Sequence, residues 1–124
     1  MNISVIVATL WECDPHLLND EEALAAICRQ ACTVGGFQLL NLYTHRFEPQ
    51  GVTVVGALAE SHITLHTWPE HGALWLDIGT CTGPVRTRQA FACVCERICH
   101  GRIEQREMVP ATVGVPRAVV GGGN

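Results

Sequence analysis

The chain has 124 residues, a net charge of −4 and a mean hydropathy of +0.19. Eight basic residues are too few for the cationic surface that nucleic acid requires, so no nucleic-acid partner is expected. No apolar run is long enough to span a bilayer and the start lacks a basic signal region, which predicts a cytoplasmic protein with no membrane partner. Only 16% of residues are charged, so we expect one domain that hides apolar surface in a homodimer.

Seven cysteines are spread along the chain, and Cys93, Cys95 and Cys99 fall close together. The odd number and the expected cytoplasmic location argue against a disulfide framework. Cys95 and Cys99 are one helical turn apart and are candidates for metal binding or oxidation, but no second Cys-x-x-Cys pair completes a zinc site. We therefore expect reduced structural thiols and no metal site, with a non-catalytic thiol- or metal-binding module as an alternative.

The apolar pattern and the turn residues predict the element order βαββββαβ. Residues 3–11 are β-branched and apolar, which is typical of a buried strand, and Gly35-Gly36 ends the first helix. The predicted strands cover residues 3–11, 37–47, 52–59, 61–68, 73–80 and 102–109, and the predicted helices cover 16–33 and 85–99. Within the first of these helical segments, Asn19 or Asp20 followed by two glutamates suits a helix N-terminus. This order predicts an α+β fold, a two-layer sandwich of a mostly antiparallel sheet with both helices on one face. The other face is left for a second copy of the chain.

The densest run of reactive residues is ESHITLHTWPEHG, residues 60–72. Taken by residue type alone, the run is typical of a half-exposed strand. A serine hydrolase is disfavoured because no G-x-S-x-G elbow is present. A metal site of His62, His66 and His71 is disfavoured because the first two lie roughly 13 Å apart along an extended strand.

This run, as a sequence motif, resembles the prokaryotic S-adenosylmethionine decarboxylase proenzyme family. The same resemblance extends over residues 5–110 and includes WECD at 11–14, THRF at 44–47, P-x-GVT at 49–53 and LDIGTC at 76–81. It implies a self-cleaving enzyme that is cut between Glu60 and Ser61 into residues 1–60 (β chain) and 61–124 (α chain). Ser61 then becomes a pyruvoyl cofactor, whose ketone forms a Schiff base with the substrate.

The resemblance also assigns residues to self-cleavage and to catalysis. His66 matches the processing base, and Thr53 stands where the family usually has a serine that assists processing. Cys81 matches the proton donor of the decarboxylation. A thiol suits that role because its pKa is closer to neutrality than that of a serine hydroxyl.

Substrate contacts are implied for three aromatic residues and two carboxylates. The rings of Phe47, Trp68 and Trp11 suit a purine and a sulfonium cation. Glu70 matches the residue that holds the ribose hydroxyls, and Glu12 is a weaker candidate on the same side.

The implied reaction converts the small molecule S-adenosylmethionine into CO2 and an aminopropyl donor for spermidine synthesis. The chain departs from the family pattern in strand one, where Val5 and Thr9 occupy the positions of a histidine and an acidic residue. For this reason the same pyruvoyl chemistry acting on arginine or ornithine stays open as an alternative.

Overall fold

The computed structural model describes residues 1–98 and 100–114, so Cys99 lies outside the described residues. The elements follow the predicted order, with a one-turn helix and a 3-10 turn added. The strands are β1 (Asn2–Trp11), β2 (Leu39–Arg46), β3 (Val52–Leu58), β4 (Ser61–Trp68), β5 (Ala73–Thr80) and β6 (Arg102–Thr112). The helices are α1 (Pro15–Leu18), α2 (Glu21–Gly35) and α3 (Pro84–Arg97), and the 3-10 turn covers Pro69–His71.

The six strands form one sheet in the order β2-β3-β4-β5-β1-β6, and each neighbouring pair is antiparallel. The register places Ser61 opposite Thr80 and Thr53 opposite His66. The predicted α+β class is confirmed, and the sheet is fully antiparallel where the prediction was mostly antiparallel.

The predicted helix N-terminus at Asn19 or Asp20 is confirmed at Asp20. The prediction that the same helix extends back to residue 16 is wrong, because two capping carboxylates divide the segment. Asp14 accepts a hydrogen bond from the His16 N–H and begins α1, whereas Asp20 accepts one from the Ala23 N–H and begins α2. An N-cap residue has extended backbone, so a helix cannot run through it. Gly36 ends α2 with φ +70°, as its predicted C-cap role requires. No helix in the described part of the chain is long and apolar enough to cross a membrane.

Alternation along the strands separates two faces of the sheet. One face packs against α2 and α3, and its side chains include Leu65 and Leu76, both completely buried. The opposite face, here called the open face, has no helix of the described chain over it. It carries exposed aromatic residues, among them Tyr43, Trp68 and Trp75. Side chains on the open face are therefore available to a ligand or a second protein chain.

Candidate active site

Ser61 has a strained backbone at the start of β4. Its φ is +145°, a value that favours glycine over residues with a side chain. The carbonyl oxygen of the preceding residue, Glu60, accepts a hydrogen bond from the backbone N–H of Cys81 at 3.2 Å. A donor in this position stabilises the negative charge that forms on the oxygen when a nucleophile attacks the carbonyl. The geometry therefore suits attack by the Ser61 hydroxyl on the peptide bond before it.

The side chain of Glu60 is held on the helix side of the sheet. Its Oε1 accepts the Gln38 N–H at 3.1 Å, and its Oε2 lies 3.8 Å from the Arg86 guanidinium. Arg86 also donates from Nε to the Gly35 carbonyl at 2.8 Å. These contacts tie Glu60 to the C-terminal end of α2 and to α3. Glu60, which precedes the predicted cleavage point, is thus held through its side chain and, at its carbonyl, by the Cys81 N–H.

A histidine and a carboxylate complete the surroundings of Ser61. The Ser61 Oγ lies 3.1 Å from Nδ1 of His62, and His62 Nε2 lies 3.0 Å from Oδ2 of Asp77. Thr64 donates a hydrogen bond to the other oxygen of Asp77. From the sequence, His62 is a candidate only for metal binding and Asp77 is not singled out. The register of β4 and β5 would have revealed them, because His62 faces Gly79 and Asp77 is its diagonal neighbour.

The hydrogen bond between His62 and Asp77 favours the charged form of both side chains. The hydrogen bond with Asp77 raises the pKa of His62 above its usual value of 6.5. Burial by itself would raise the pKa of Asp77, but hydrogen bonds from His62 and Thr64 outweigh it and lower that pKa. Asp77 is therefore a carboxylate at neutral pH.

A groove at the other end of β4 brings together five of the predicted site residues. A cavity of about 340 Å³ is lined by, among others, Phe47, Thr53, His66, Trp68 and Glu70. The Thr53 Oγ1 lies 3.0 Å from Nδ1 of His66, across the pairing of β3 and β4. We call these five residues the aromatic groove.

The remaining two substrate candidates have different surroundings. Trp11 and Trp68 line an adjoining hollow of about 370 Å³, and the Trp11 indole N–H donates to Glu104 at 2.5 Å. Glu12 packs its side chain against Gly101, where an added Cβ would lie 1.7 Å from the Glu12 Oε1. Glu12 is not among the described residues that line either of these two cavities.

Ser61 and the aromatic groove lie at opposite ends of the same strand. Ser61 is the first residue of β4 and Trp68 is the last, so they are roughly 23 Å apart at the rise of an extended strand. By the same measure His66 is roughly 17 Å from Ser61. Cys81 stays at the Ser61 end, directly after Thr80, which pairs with Ser61. A single chain therefore holds two separate halves of the predicted site.

Apart from Cys81, the thiols that the structure describes are buried or partly buried. Cys28, Cys32 and Cys93 are buried, and burial raises the pKa of the partly buried Cys95 to about 11, so that it stays protonated at neutral pH. Within residues 1–98 and 100–114, no three His, Cys, Asp or Glu side chains are grouped as a metal ion would need.

The fold is that of a known class of decarboxylases. The chain superposes on the crystal structure of the adenosylmethionine decarboxylase from Aquifex aeolicus with a TM-score of 0.86. The two share 27% sequence identity, and the match covers 94% of this chain and 96% of that one.

The sequence agrees with this class. The family described as S-adenosylmethionine decarboxylase matches residues 4–109. The S-adenosylmethionine decarboxylase proenzyme of Parasynechococcus marenigrum is 42% identical over 110 residues, which are 86% of each chain. The proenzyme of Pyrobaculum arsenaticum is 39% identical over 100 residues, 80% of each chain.

The chain belongs to the S-adenosylmethionine decarboxylase family. This confirms the resemblance seen in the sequence and the predicted class of enzyme, a decarboxylase made as a proenzyme. The alternatives from the sequence, an arginine or ornithine decarboxylase and a thiol- or metal-binding module, gain no support from these relatives.

Proposed function

We propose that this chain is a self-cleaving proenzyme whose mature form decarboxylates S-adenosylmethionine to the aminopropyl donor of spermidine synthesis. The proposal rests on the geometry at Ser61. Its φ is +145°, and the carbonyl oxygen of the preceding residue accepts a hydrogen bond from the Cys81 N–H. Cleavage before Ser61 yields the β chain, 1–60, and the α chain, 61–124. A pyruvoyl group derived from Ser61 supplies the electron sink that decarboxylation needs.

Cys81 is the proposed proton donor. It follows Thr80, the residue paired with Ser61, and it is partly exposed, unlike the buried Cys28, Cys32 and Cys93. Its thiol would protonate the carbon from which CO2 has left. Its backbone N–H serves the earlier cleavage step, so the same residue contributes to both reactions with different atoms.

The aromatic groove supplies the contacts for an adenosyl sulfonium. Phe47 and Trp68 are 47% and 45% exposed, which leaves two ring faces for a purine and for a positive charge. The Glu70 carboxylate, also exposed, can accept hydrogen bonds from two ribose hydroxyls. Trp11 extends this apolar surface through the adjoining hollow, and Glu12 keeps the weaker assignment that the family resemblance gives it.

A homodimer joins the two halves of the site. We propose that two open faces pack about a twofold axis that runs across β4 near its centre, which makes the two β4 strands antiparallel. The Ser61 end of one protomer then meets the aromatic groove of its partner. Thr53 and His66 of one chain would act on Ser61 of the other chain. The distance of roughly 17 Å between Ser61 and His66 of the same chain then no longer prevents them from serving one site.

The first experiment measures the mass of the purified, denatured protein. We expect two fragments, residues 1–60 and 61–124, with the second fragment lacking a free amine because its first residue is a pyruvoyl group. Ser61→Ala should remain one chain and release no CO2, because it has no hydroxyl to attack the carbonyl. A wild-type chain that stays intact after purification would contradict the proposed self-cleavage.

The second experiment tests the shared site by co-expressing Ser61→Ala and His66→Ala chains. Each variant alone should stay uncleaved. In a mixed dimer, one site combines the intact Ser61 of one chain with the intact His66 of the other, so cleavage and CO2 release should return. Failure of the mixture to cleave, with dimers present, would place the whole site within one protomer.

The third experiment identifies the substrate by comparing CO2 release from S-adenosylmethionine, arginine and ornithine. The two aromatic rings and Glu70 favour S-adenosylmethionine, so we expect release from this substrate alone. Release from the basic amino acids only would overturn the substrate assignment while leaving self-cleavage intact. The cytoplasmic location expected from the sequence stays a prediction.

A further inference from the structure

The hydrogen bonds of His62 determine which nitrogen of its neutral imidazole carries the proton. Asp77, a carboxylate, can only accept a hydrogen bond, so the proton of neutral His62 lies on Nε2, at 3.0 Å from Asp77 Oδ2. Nδ1 then carries a lone pair, and the atom that faces it at 3.1 Å is the Ser61 Oγ. Ser61 is therefore the donor, and His62 is ready to take its proton.

The neighbouring strand holds the imidazole in this orientation. Gly79 lies opposite His62, and a Cβ added there would approach the ring to 2.9 Å at Cε1 and 3.3 Å at Nε2. The ring thus occupies space that only glycine leaves open. Thr64 donates to Asp77 and fixes the carboxylate that orients the ring.

We propose that His62 is the general base that starts self-cleavage, and that Asp77 is the residue that positions it. The inference rests on the proposed self-processing of the chain. His62 Nδ1 removes the hydroxyl proton while Ser61 Oγ bonds to the Glu60 carbonyl carbon. The bond from that carbon to the Ser61 nitrogen then breaks, and the imidazolium returns its proton to this nitrogen. The amide becomes an ester with no atom gained or lost.

His66 is unsuited to this first step within its own chain. It lies roughly 17 Å from Ser61 along β4, and its Nδ1 is engaged with Thr53 at 3.0 Å. After the ester has formed, a second base must remove the Ser61 α-proton, and this is the processing step left for His66 of the other chain in the proposed dimer. The two histidines therefore act in succession, His62 on the hydroxyl and His66 on the carbon.

The test follows cleavage of freshly translated full-length chains and probes the uncleaved material with hydroxylamine, which cuts esters and spares peptide bonds. His62→Ala should slow cleavage by about 100-fold or more, as loss of a general base does. Its uncleaved chain should resist hydroxylamine because the ester has not formed. His66→Ala should also stay uncleaved, but hydroxylamine should cut it between residues 60 and 61.

Added imidazole distinguishes a lost base from a lost fold. We expect it to restore part of the cleavage of His62→Ala and to leave Ser61→Ala uncleaved. Gly79→Ala is the second variant, since it keeps the histidine and only displaces its ring. It should retain the far-ultraviolet circular dichroism of the wild type and should cleave at least tenfold more slowly.

The role of Asp77 is tested by Asp77→Asn and the pH dependence of cleavage. An asparagine N–H facing Nε2 favours the tautomer with the proton on Nδ1, so cleavage should slow. The acid limb of the profile should move to lower pH because the anion is gone. The inference would be overturned if His62→Ala cleaved at a rate within threefold of wild type. It would also be overturned if hydroxylamine cut the uncleaved His62→Ala chain between residues 60 and 61. If wild type itself never cleaves, the proposed function fails instead.

Discussion

At the scale of single residues, the proposed reactivity of Ser61 comes from its backbone and from two neighbours, Cys81 and His62. A non-glycine residue at φ +145° stores strain of about 1–3 kcal/mol, which cleavage of the chain can release. The Cys81 N–H polarises the carbonyl to be attacked, and His62 faces the attacking oxygen. A serine elsewhere on a strand has none of these features, so its amide is stable.

Cys81→Ala separates cleavage from decarboxylation. The substitution keeps the backbone N–H that contacts the Glu60 carbonyl, so the chain should still be cut at a rate close to wild type. It removes the thiol, so kcat for CO2 release should fall by about 100-fold or more. Fragment masses and CO2 release from the same sample give both values. An uncleaved Cys81→Ala chain would show that the thiol itself is needed for processing.

The rate of self-cleavage should depend on pH through His62. Only the neutral imidazole accepts a proton, and the hydrogen bond with Asp77 raises the pKa of His62 above 6.5. The rate should therefore fall as the pH drops through that raised pKa, with its half-maximum above pH 6.5. Time courses of ester formation in His66→Ala chains between pH 5 and 9, followed by hydroxylamine cleavage, measure this step alone. A rate independent of pH over this range would argue against a histidine base.

At the scale of the elements, β4 divides the chemistry between its two ends. In the proposed function its first two residues serve bond cleavage, and the end that carries His66 and Trp68 lines the aromatic groove. The neighbouring strands supply the partners, since β3 brings Thr53 to His66 and β5 brings Asp77 to His62. The antiparallel register is thus the element-level cause of both polar pairs.

The pairing of β3 with β4 gives a prediction for Thr53. Thr53→Val has a similar shape but loses the hydroxyl that contacts His66 Nδ1, so self-cleavage should slow by about tenfold or more, a loss of 1.4 kcal/mol or more at the transition state. Thr53→Ser keeps the hydroxyl and should cleave at a rate close to wild type. The measurement is again the time course of fragment formation. Equal rates for the valine and serine variants would exclude a role for this hydroxyl.

At the scale of the whole molecule, the sheet has one face packed by helices and one that is open. The packed face contains the fully buried leucines of the core, whereas Tyr43, Trp68 and Trp75 are 58%, 45% and 37% exposed. Aromatic side chains contribute strongly to protein interfaces when they are buried there. The open face therefore fits the proposed dimer, which also completes the site.

Trp75→Arg tests the dimer. Trp75 is in the middle of the open face, where its ring contacts His66, so a charge there would be buried between two sheets. We expect the variant to sediment as a monomer and to stay uncleaved. Val34→Arg is the matched control, because Val34 is 50% exposed near the end of α2 on the helix side and should leave the dimer intact. A dimeric Trp75→Arg protein would contradict the proposed interface.

Most of the elements and the family could be predicted from local sequence signals. The alternation of residues 61–68 and the breakers at Pro69 and Gly72 are local signals, and the structure places β4 and β5 at the predicted bounds. The family was predicted from a contiguous motif, and the match of the family over residues 4–109 confirms it. The N-terminus of α2 at Asp20 was also predicted, but the second cap at Asp14 was not, so one helix was predicted where there are two.

Contacts between residues that are distant in the sequence could not be predicted, because they depend on how the strands pair. His62 and Asp77 are fifteen positions apart, and Cys81 is twenty-one positions from Glu60; strand register brings each pair into contact. The structure also separates Ser61 from His66, although the two are only five positions apart. The physical reason is that strand pairing joins distant residues, while an extended strand carries near neighbours away from each other.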